Sequence, residues 1–141
     1  AGSFQSPLWR GGGVVFGPKP RDFSVKINTK TKLLALRKVL SDRIKANEVV
    51  IVEDLAISSP KTKDFVAILQ TLDLNCTLLI VTEAANKNLM LASRNVQGVE
   101  LTTAKDLNTY QALKYDKLLF TKKAFESVEE RLIGQKEKVA V

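Results

Sequence analysis

Five consecutive residues, Trp9-Arg10-Gly11-Gly12-Gly13, put an indole plane, a guanidinium and three positions without side chains into one short stretch. Each residue type has a distinct use against a polyanion. A guanidinium neutralises a phosphate and can fork onto two of its oxygens. An aromatic plane stacks on an unpaired base. Glycine lets backbone approach where a Cβ would collide. Phe16-Gly17-Pro18-Lys19-Pro20-Arg21 supplies the same kinds of group again, with prolines that limit the entropy lost on ordering. On residue types alone an alternative stays open, a loop folded against its own domain with Trp9 and Phe16 in the core.

The distribution of charge favours the polyanion. Net charge is +7. Residues 1–45 hold ten Lys and Arg against Asp22 and Asp42, an excess of eight; the remaining 96 residues hold twelve against thirteen acids. All the excess therefore lies in the first third, as in proteins that hold a polyanion by one end. Other chemistries are thinly supplied. Without a histidine the commonest general base at neutral pH and the commonest transition-metal ligand are missing. With Cys76 as the only cysteine, no zinc site, cysteine–histidine nucleophile or disulfide framework can be built within the chain, and Cys76 reads as a small buried or half-buried residue. Ser6, Ser24, Ser41 and Ser58 have no histidine to activate them and no G-x-S-x-G elbow, so turns and caps suffice to explain them.

The elements that must carry these groups follow from periodicity. Residues 1–27 read as an extended basic loop arm, because Pro7, Pro18, Pro20 and five glycines break both the helical and the strand period. The arm nevertheless carries Phe4, Leu8, Trp9, Val14, Val15, Phe16 and Phe23, too many apolar groups for a flexible linker and too interrupted for a signal peptide. From Asn28 the spacing of Leu33, Leu36, Leu40 and Ile44 predicts a helix ending near Asn47, with Lys30, Lys32, Arg37, Lys38, Arg43 and Lys45 facing outward.

Residues 28–133 then form an α/β globular domain, in which apolar runs Val49–Leu55, Thr77–Glu83, Val99–Ala104 and Lys117–Lys123 alternate with helical stretches. Those helices span Pro60–Leu72, capped by Ser58 or Ser59, then Asn86–Val96, 105–115 and Ala124–Leu132; residues 134–141 form a frayed tail. Short apolar strands between helices require a mainly parallel sheet with helices on both faces, a three-layer α/β fold with Rossmann-like βα alternation and right-handed crossovers. No stretch reaches the roughly 18–20 apolar residues of a membrane span.

A nucleotide site would need a glycine-rich turn after the first strand, and Leu55-Ala56-Ile57-Ser58-Ser59-Pro60 has none. Glu53, Asp54 and Glu83 stand at the carboxyl ends of strands, where an enzyme would gather acids or a metal. The simpler expectation is that they cap helices and face the positive helix N-termini.

One family fits this pattern. Gly2-Ser3, the run Ser6 to Val14, Phe16-Gly17-Pro18, Pro20 to Ser24, Lys26 and Asn28 closely resemble bacterial-type large-subunit ribosomal protein L-four. Ala35-Leu36, Val50-Ile51-Val52, Pro60-Lys61-Thr62-Lys63, Asn88-Leu89, Ala92, Arg94-Asn95, Thr121 and Ala124 carry the likeness to about Leu132.

The resemblance implies a structural constituent of the large subunit that binds large-subunit rRNA early in assembly. Its α/β domain would lie on the solvent side, and its long loop would penetrate the rRNA towards the peptide exit tunnel. Residues 1–23 would be the returning limb of that loop, with Trp9, Arg10, Gly11, Gly12, Gly13, Lys19 and Arg21 on RNA. Lys26, Lys30, Lys32, Arg37 and Lys38 would face RNA from its base and from the following helix. Neighbouring large-subunit proteins are the other implied partners, with no cofactor and no small-molecule substrate. The ribosome would be that of a bacterial cytoplasm or a chloroplast stroma. The family's first strand, early helices and outgoing loop limb have no counterpart here, so the chain is expected to be a C-terminal portion. The rivals are a nucleotide- or metal-dependent α/β enzyme working near Glu53, Asp54 or Glu83, and a protein–protein interaction module.

Overall fold

The computed structural model describes residues 2–137 except 56, 58, 75 and 85. Residues 2–28 contain turns and extended backbone but neither helix nor strand. Regular structure begins with α1 (Thr29–Lys45) and continues as β1 (Val49–Val52), α2 (Thr62–Thr71), β2 (Leu78–Thr82) and α3 (Lys87–Ser93). It ends with β3 (Val99–Thr103), α4 (Thr109–Lys114), β4 (Lys117–Thr121) and α5 (Lys122–Glu137).

The four strands form one sheet in the order β1-β4-β2-β3, and all three pairings are parallel. Side-chain alternation along β2 sorts the core into two halves. Leu79 and Val81, with Leu118 and Phe120 of β4, share an apolar cluster with Leu36 and Leu40 of α1, Ala112 of α4, and Ala124 and Val128 of α5. Leu78, Ile80 and Leu119 point the other way, into a cluster with Phe65 and Leu69 of α2 and Leu89 and Ala92 of α3. The expected three-layer α/β architecture is therefore present, with its sheet wholly parallel. Crossover geometry explains the sorting of helices. The steps β1→β2 and β2→β3 run across the sheet in one direction and put α2 and α3 on the same face. The step β3→β4 runs back, so a connection of the same hand must place α4 on the opposite face. Leu78 to Val81 and Leu118 to Phe120 are fully buried because β2 and β4 are interior strands.

Several boundaries differ from the periodicity. Pro60 lies ahead of α2 rather than in its first turn, because Lys61 is extended (φ −82°, ψ 130°) and takes the cap position. Ser59 does not cap the backbone; its hydroxyl donates to the Asp64 carboxylate in the first turn. Ser58, the other expected cap, lies outside the described residues. Asn86 does cap α3, its side chain accepting from Asn88 N at 3.1 Å, and Asn108 with Gln111 builds a reciprocal capping box on α4. Helix α5 starts directly after β4 and passes Gly134 to reach Glu137, so the backbone from 134 to 137 is helical where a frayed tail is expected; residues 138–141 lie outside the described part. Ile44 is 48 % exposed instead of buried. Leu36, Val39 and Leu40 set the inward face of α1, and that stripe continues to Arg43, one turn on from Leu40, rather than to Ile44.

Both α1 and α2 end with a residue in the left-handed region, Asn47 (φ 57°) and Asp73 (φ 52°). After each, the chain returns the paired backbone bonds of a Schellman closure. Asn47 N donates to Ile44 O at 3.1 Å and Glu48 N to Arg43 O at 3.1 Å; Asp73 N donates to Gln70 O at 3.1 Å and Leu74 N to Leu69 O at 3.0 Å. At the amino-terminal edge of the sheet, Thr77 donates to Asp116 through Oγ1 at 2.6 Å and through its backbone N at 3.2 Å. These bonds, the hydroxyl's first, hold the Asp116 carboxyl below its ordinary 3.8.

Two outcomes are expected. Asp73→Val should cost about 1–2 kcal/mol in urea unfolding, because a β-branched residue resists φ above zero, whereas Asp73→Gly should stay within about 0.5 kcal/mol of the parent. The folded state favours ionised Asp116, so its contribution is complete above about pH 4 and is lost as pH falls below that. Asp116→Asn should therefore make acid unfolding less steep in a pH series of thermal melts.

Candidate nucleic-acid interface

The arm is not featureless. Ser6 N donates to Ser3 O at 2.9 Å, Trp9 N to Ser6 O at 3.1 Å and Gly12 N to Trp9 O at 3.0 Å, three turns in succession at three-residue intervals. Gly13 N closes the loop onto Gln5 O at 2.9 Å. Ser3 Oγ and Ser6 Oγ each accept from the backbone two residues on, at 3.2 and 3.5 Å, and so reinforce the first two turns. The glycines have separate reasons to be there. Gly11 has φ +78°, and a Cβ on Gly12 would stand 1.9 Å from Ser6 O. The closed loop brings the Phe4 and Trp9 rings together, with centroids 6.4 Å apart and planes tilted by 46°.

None of the arm's large apolar side chains enters the core. Trp9 is 51 % exposed, and Phe4, Leu8, Val14, Val15, Phe16 and Phe23 are more open still. The alternative of a loop folded onto its own domain is thereby set aside for these side chains. Phe4 belongs beside Trp9, though spacing along the chain gave no reason to pair them; only loop closure does so. Past the loop, Arg10, Lys19, Arg21 and Lys26 are all exposed. The Arg21 guanidinium lies over the Phe23 ring, 4.2 Å from its centroid. Asp22 is occupied locally, accepting from Ser24 N and Ser24 Oγ at 2.8 Å each. The backbone bond first and the hydroxyl second keep its carboxyl below the ordinary 3.8.

On α1, Lys30, Arg37, Lys38 and Lys45 recur at spacings of seven or eight and share the outward face, all exposed. Lys38 is the one with an ion pair among the described residues, to Asp42 at 2.9 Å, a surface contact one turn away that leaves both groups largely in water. Lys32 turns away from this row and lines a groove against α4.

Arg43 departs furthest from the outward expectation. Its Nε donates to Ala112 O at 3.1 Å, its Nη2 to Leu113 O and Tyr115 O at 2.9 Å each, and its Nη1 to the Glu48 carboxylate. It thus satisfies carbonyls at the C-terminal end of α4, which an isolated short helix would leave open. Arg131 does the same for the loop after β3, Nη1 donating to Ala104 O, Lys105 O and Leu107 O at 2.9–3.2 Å. Position 43 was legible in principle, since it lies seven residues beyond Leu36 and three beyond Leu40.

The carboxyl edge of the sheet holds little chemistry. Glu53 and Glu83 are exposed, and Asp54 Oδ1 accepts from Leu55 N at 2.7 Å. None of the three occupies a helix N-cap, those of α2 and α3 being Lys61 and Asn86, so the capping role expected for them is corrected. Among the described residues no group of three or more acids, cysteines or histidines could hold a metal. Cys76 is half-buried, as its type suggested. Ser24 and Ser41 serve local bonds to Asp22 and to Arg37 O.

The fold and this surface define a class: a three-layer α/β domain whose cations are displayed on an exposed arm and on the outer face of its first helix. The chain belongs to the Ribosomal protein L4/L1 family, whose model matches residues 1–131. It is accordingly a structural ribosomal protein of the large subunit, part of the ribonucleoprotein that carries out translation.

Closure of the arm loop can be tested at Gly12. Gly12→Ala should separate Phe4 from Trp9, shift the emission of the single tryptophan and abolish the cross-ring NOE. The unfolding free energy of the α/β domain should change by no more than about 0.5 kcal/mol, the ordinary range for surface changes.

Proposed function

We propose that the chain binds large-subunit rRNA as an assembly scaffold, with residues 1–27 lying in an RNA crevice and α1 covering its mouth. One observation carries the reading. The arm's aromatic rings stand in solvent beside Arg10, Lys19 and Arg21, where an isolated protein gains nothing from exposing them. Against RNA the same groups have uses, phosphate neutralisation by the cations and base stacking by Trp9.

On this reading Gly11, Gly12 and Gly13 let the backbone lie close to the sugar–phosphate chain. Lys26, Lys30, Arg37 and Lys38 continue the track of positive potential from arm to helix, and Lys32 joins it from the groove side. The resemblance supports two finer points: the arm is the returning limb of a loop directed at the peptide exit tunnel, and the ribosome is that of a bacterium or a chloroplast. Neighbouring large-subunit proteins would complete the surroundings. The role involves no bond making. Phosphate repulsion is what opposes the packing of RNA helices, and a cationic wedge between them lowers that cost.

The test is the salt dependence of binding to protein-free large-subunit rRNA. Affinity should fall linearly in log–log form as salt rises. Replacing Arg10, Lys19 and Arg21 together by alanine should reduce the slope by about two to three units, close to one per phosphate contact. An unchanged slope would remove the arm from the interface.

A further inference from the structure

Beside the arm, a groove of about 770 Å³ opens between the start of α1 and the start of α4. Its floor is apolar, with Leu36 and Leu107 buried beneath it, and Ile27, at the root of the arm, forms one wall. Tyr110 lines the groove from α4 and is 72 % exposed, whereas the domain's Tyr115, Phe65 and Phe120 are buried. Lys32 and Arg131 complete the rim. Three carbonyls accept from Arg131 Nη1 and so fix the position of its guanidinium. Among the described residues no carboxylate lines the groove; of the two acids next to lining residues in sequence, Asp106 accepts from Thr103 Oγ1 at 2.6 Å and Glu130 is exposed on α5.

An apolar floor, a free aromatic face and two cations without an acid suit a ligand that is flat and apolar on one side and anionic on the other. An unpaired nucleotide has that form, with its base over Tyr110 and its phosphate between Lys32 and Arg131. An apolar peptide segment could use the floor but would leave both cations unmatched. Continuity narrows the choice further, since Ile27 joins the groove directly to the arm and α1 carries the outward cations on its far side.

We infer that this groove accepts one unstacked nucleotide of the same RNA strand that follows the arm, with Tyr110 as its stacking platform. The inference rests on the rRNA-binding reading and adds a specific pocket to it. It also assigns a contact to the α/β body that does not depend on the arm's aromatic loop.

The experiment uses the full chain and protein-free large-subunit rRNA, with affinity followed as a function of salt and photo-crosslinked peptides identified by mass spectrometry. Tyr110→Ala should weaken binding at least about five-fold without changing the salt slope, because the lost ring carries no charge. Tyr110→Phe should bind like the parent, and Lys32→Ala should lower the slope by about one unit. A nucleotide adduct is expected on the peptide containing Tyr110. Parent-like affinity of Tyr110→Ala, with the parent binding normally and the variant melting as the parent does, would overturn the groove assignment while leaving the rRNA reading intact. A loss of affinity only for a neighbouring ribosomal protein would overturn it in favour of a peptide occupant. Failure of the parent chain itself to bind rRNA would remove both readings together.

Discussion

Strands β2 and β4 lie inside the sheet with both faces covered, so their apolar side chains must meet helices. That constraint decides where the cations go. Leu36 and Leu40 are drawn into the cluster of Leu79, Val81, Leu118 and Phe120, and burying side chains of this size stabilises by about 1.5–3 kcal/mol each. Surface charges contribute far less. The isolated Lys38–Asp42 pair is of the kind worth less than about 1 kcal/mol. Apolar burial therefore sets the rotation of α1, and the row Lys30, Arg37, Lys38 and Lys45 faces outward as a consequence rather than through any attraction of its own.

Cations are used in two physically different ways. Arg43 and Arg131 give their N–H groups to backbone carbonyls around α4, a six-residue helix too short to hold its own ends. A planar fork with several donors in fixed geometry suits that task, which a lysine could not perform equally. The cations of the arm and of the outer face of α1 are left hydrated, and with one exception they have no carboxylate partner among the described residues. Hydrated and unpaired cations remain available to phosphate. Around Tyr115 the polar groups also serve the fold. Its hydroxyl donates to Glu100, Gln111 Nε2 donates to the other oxygen of the same carboxylate at 2.7 Å, and the Glu100 carboxyl stays below its ordinary 4.5 for those two reasons in that order.

The arm lies between order and disorder. Successive turns and the Gln5–Gly13 bond shape residues 3–13 without any core contribution from their side chains. Partial pre-ordering of this kind lowers the conformational entropy still to be lost on contact with a partner, which is the usual weakness of an extended binding segment. The wedge formed by Phe4 and Trp9 follows from loop closure and from the absence of a Cβ at position 12.

Much was legible in the residues alone. Near-continuous apolar runs defined the four strands, Asn86 marked its helix start, and the uneven charge located the exposed cationic third. The family likeness in the Trp9–Gly13 and Phe16–Asp22 runs pointed to the same conclusion as the family match over residues 1–131. All of these are short-range properties, because backbone periodicity, capping and local charge depend on neighbours within a few positions. Other features depended on contacts between residues far apart in the chain. The order β1-β4-β2-β3, the inward turn of Arg43 onto carbonyls some seventy residues away, the exposure of Ile44 and the groove joining Ile27 to Tyr110 arise only when the helices dock on the sheet. Which side of a helix faces in, and which orphan carbonyl needs a donor, is decided by the packed whole and by no local pattern.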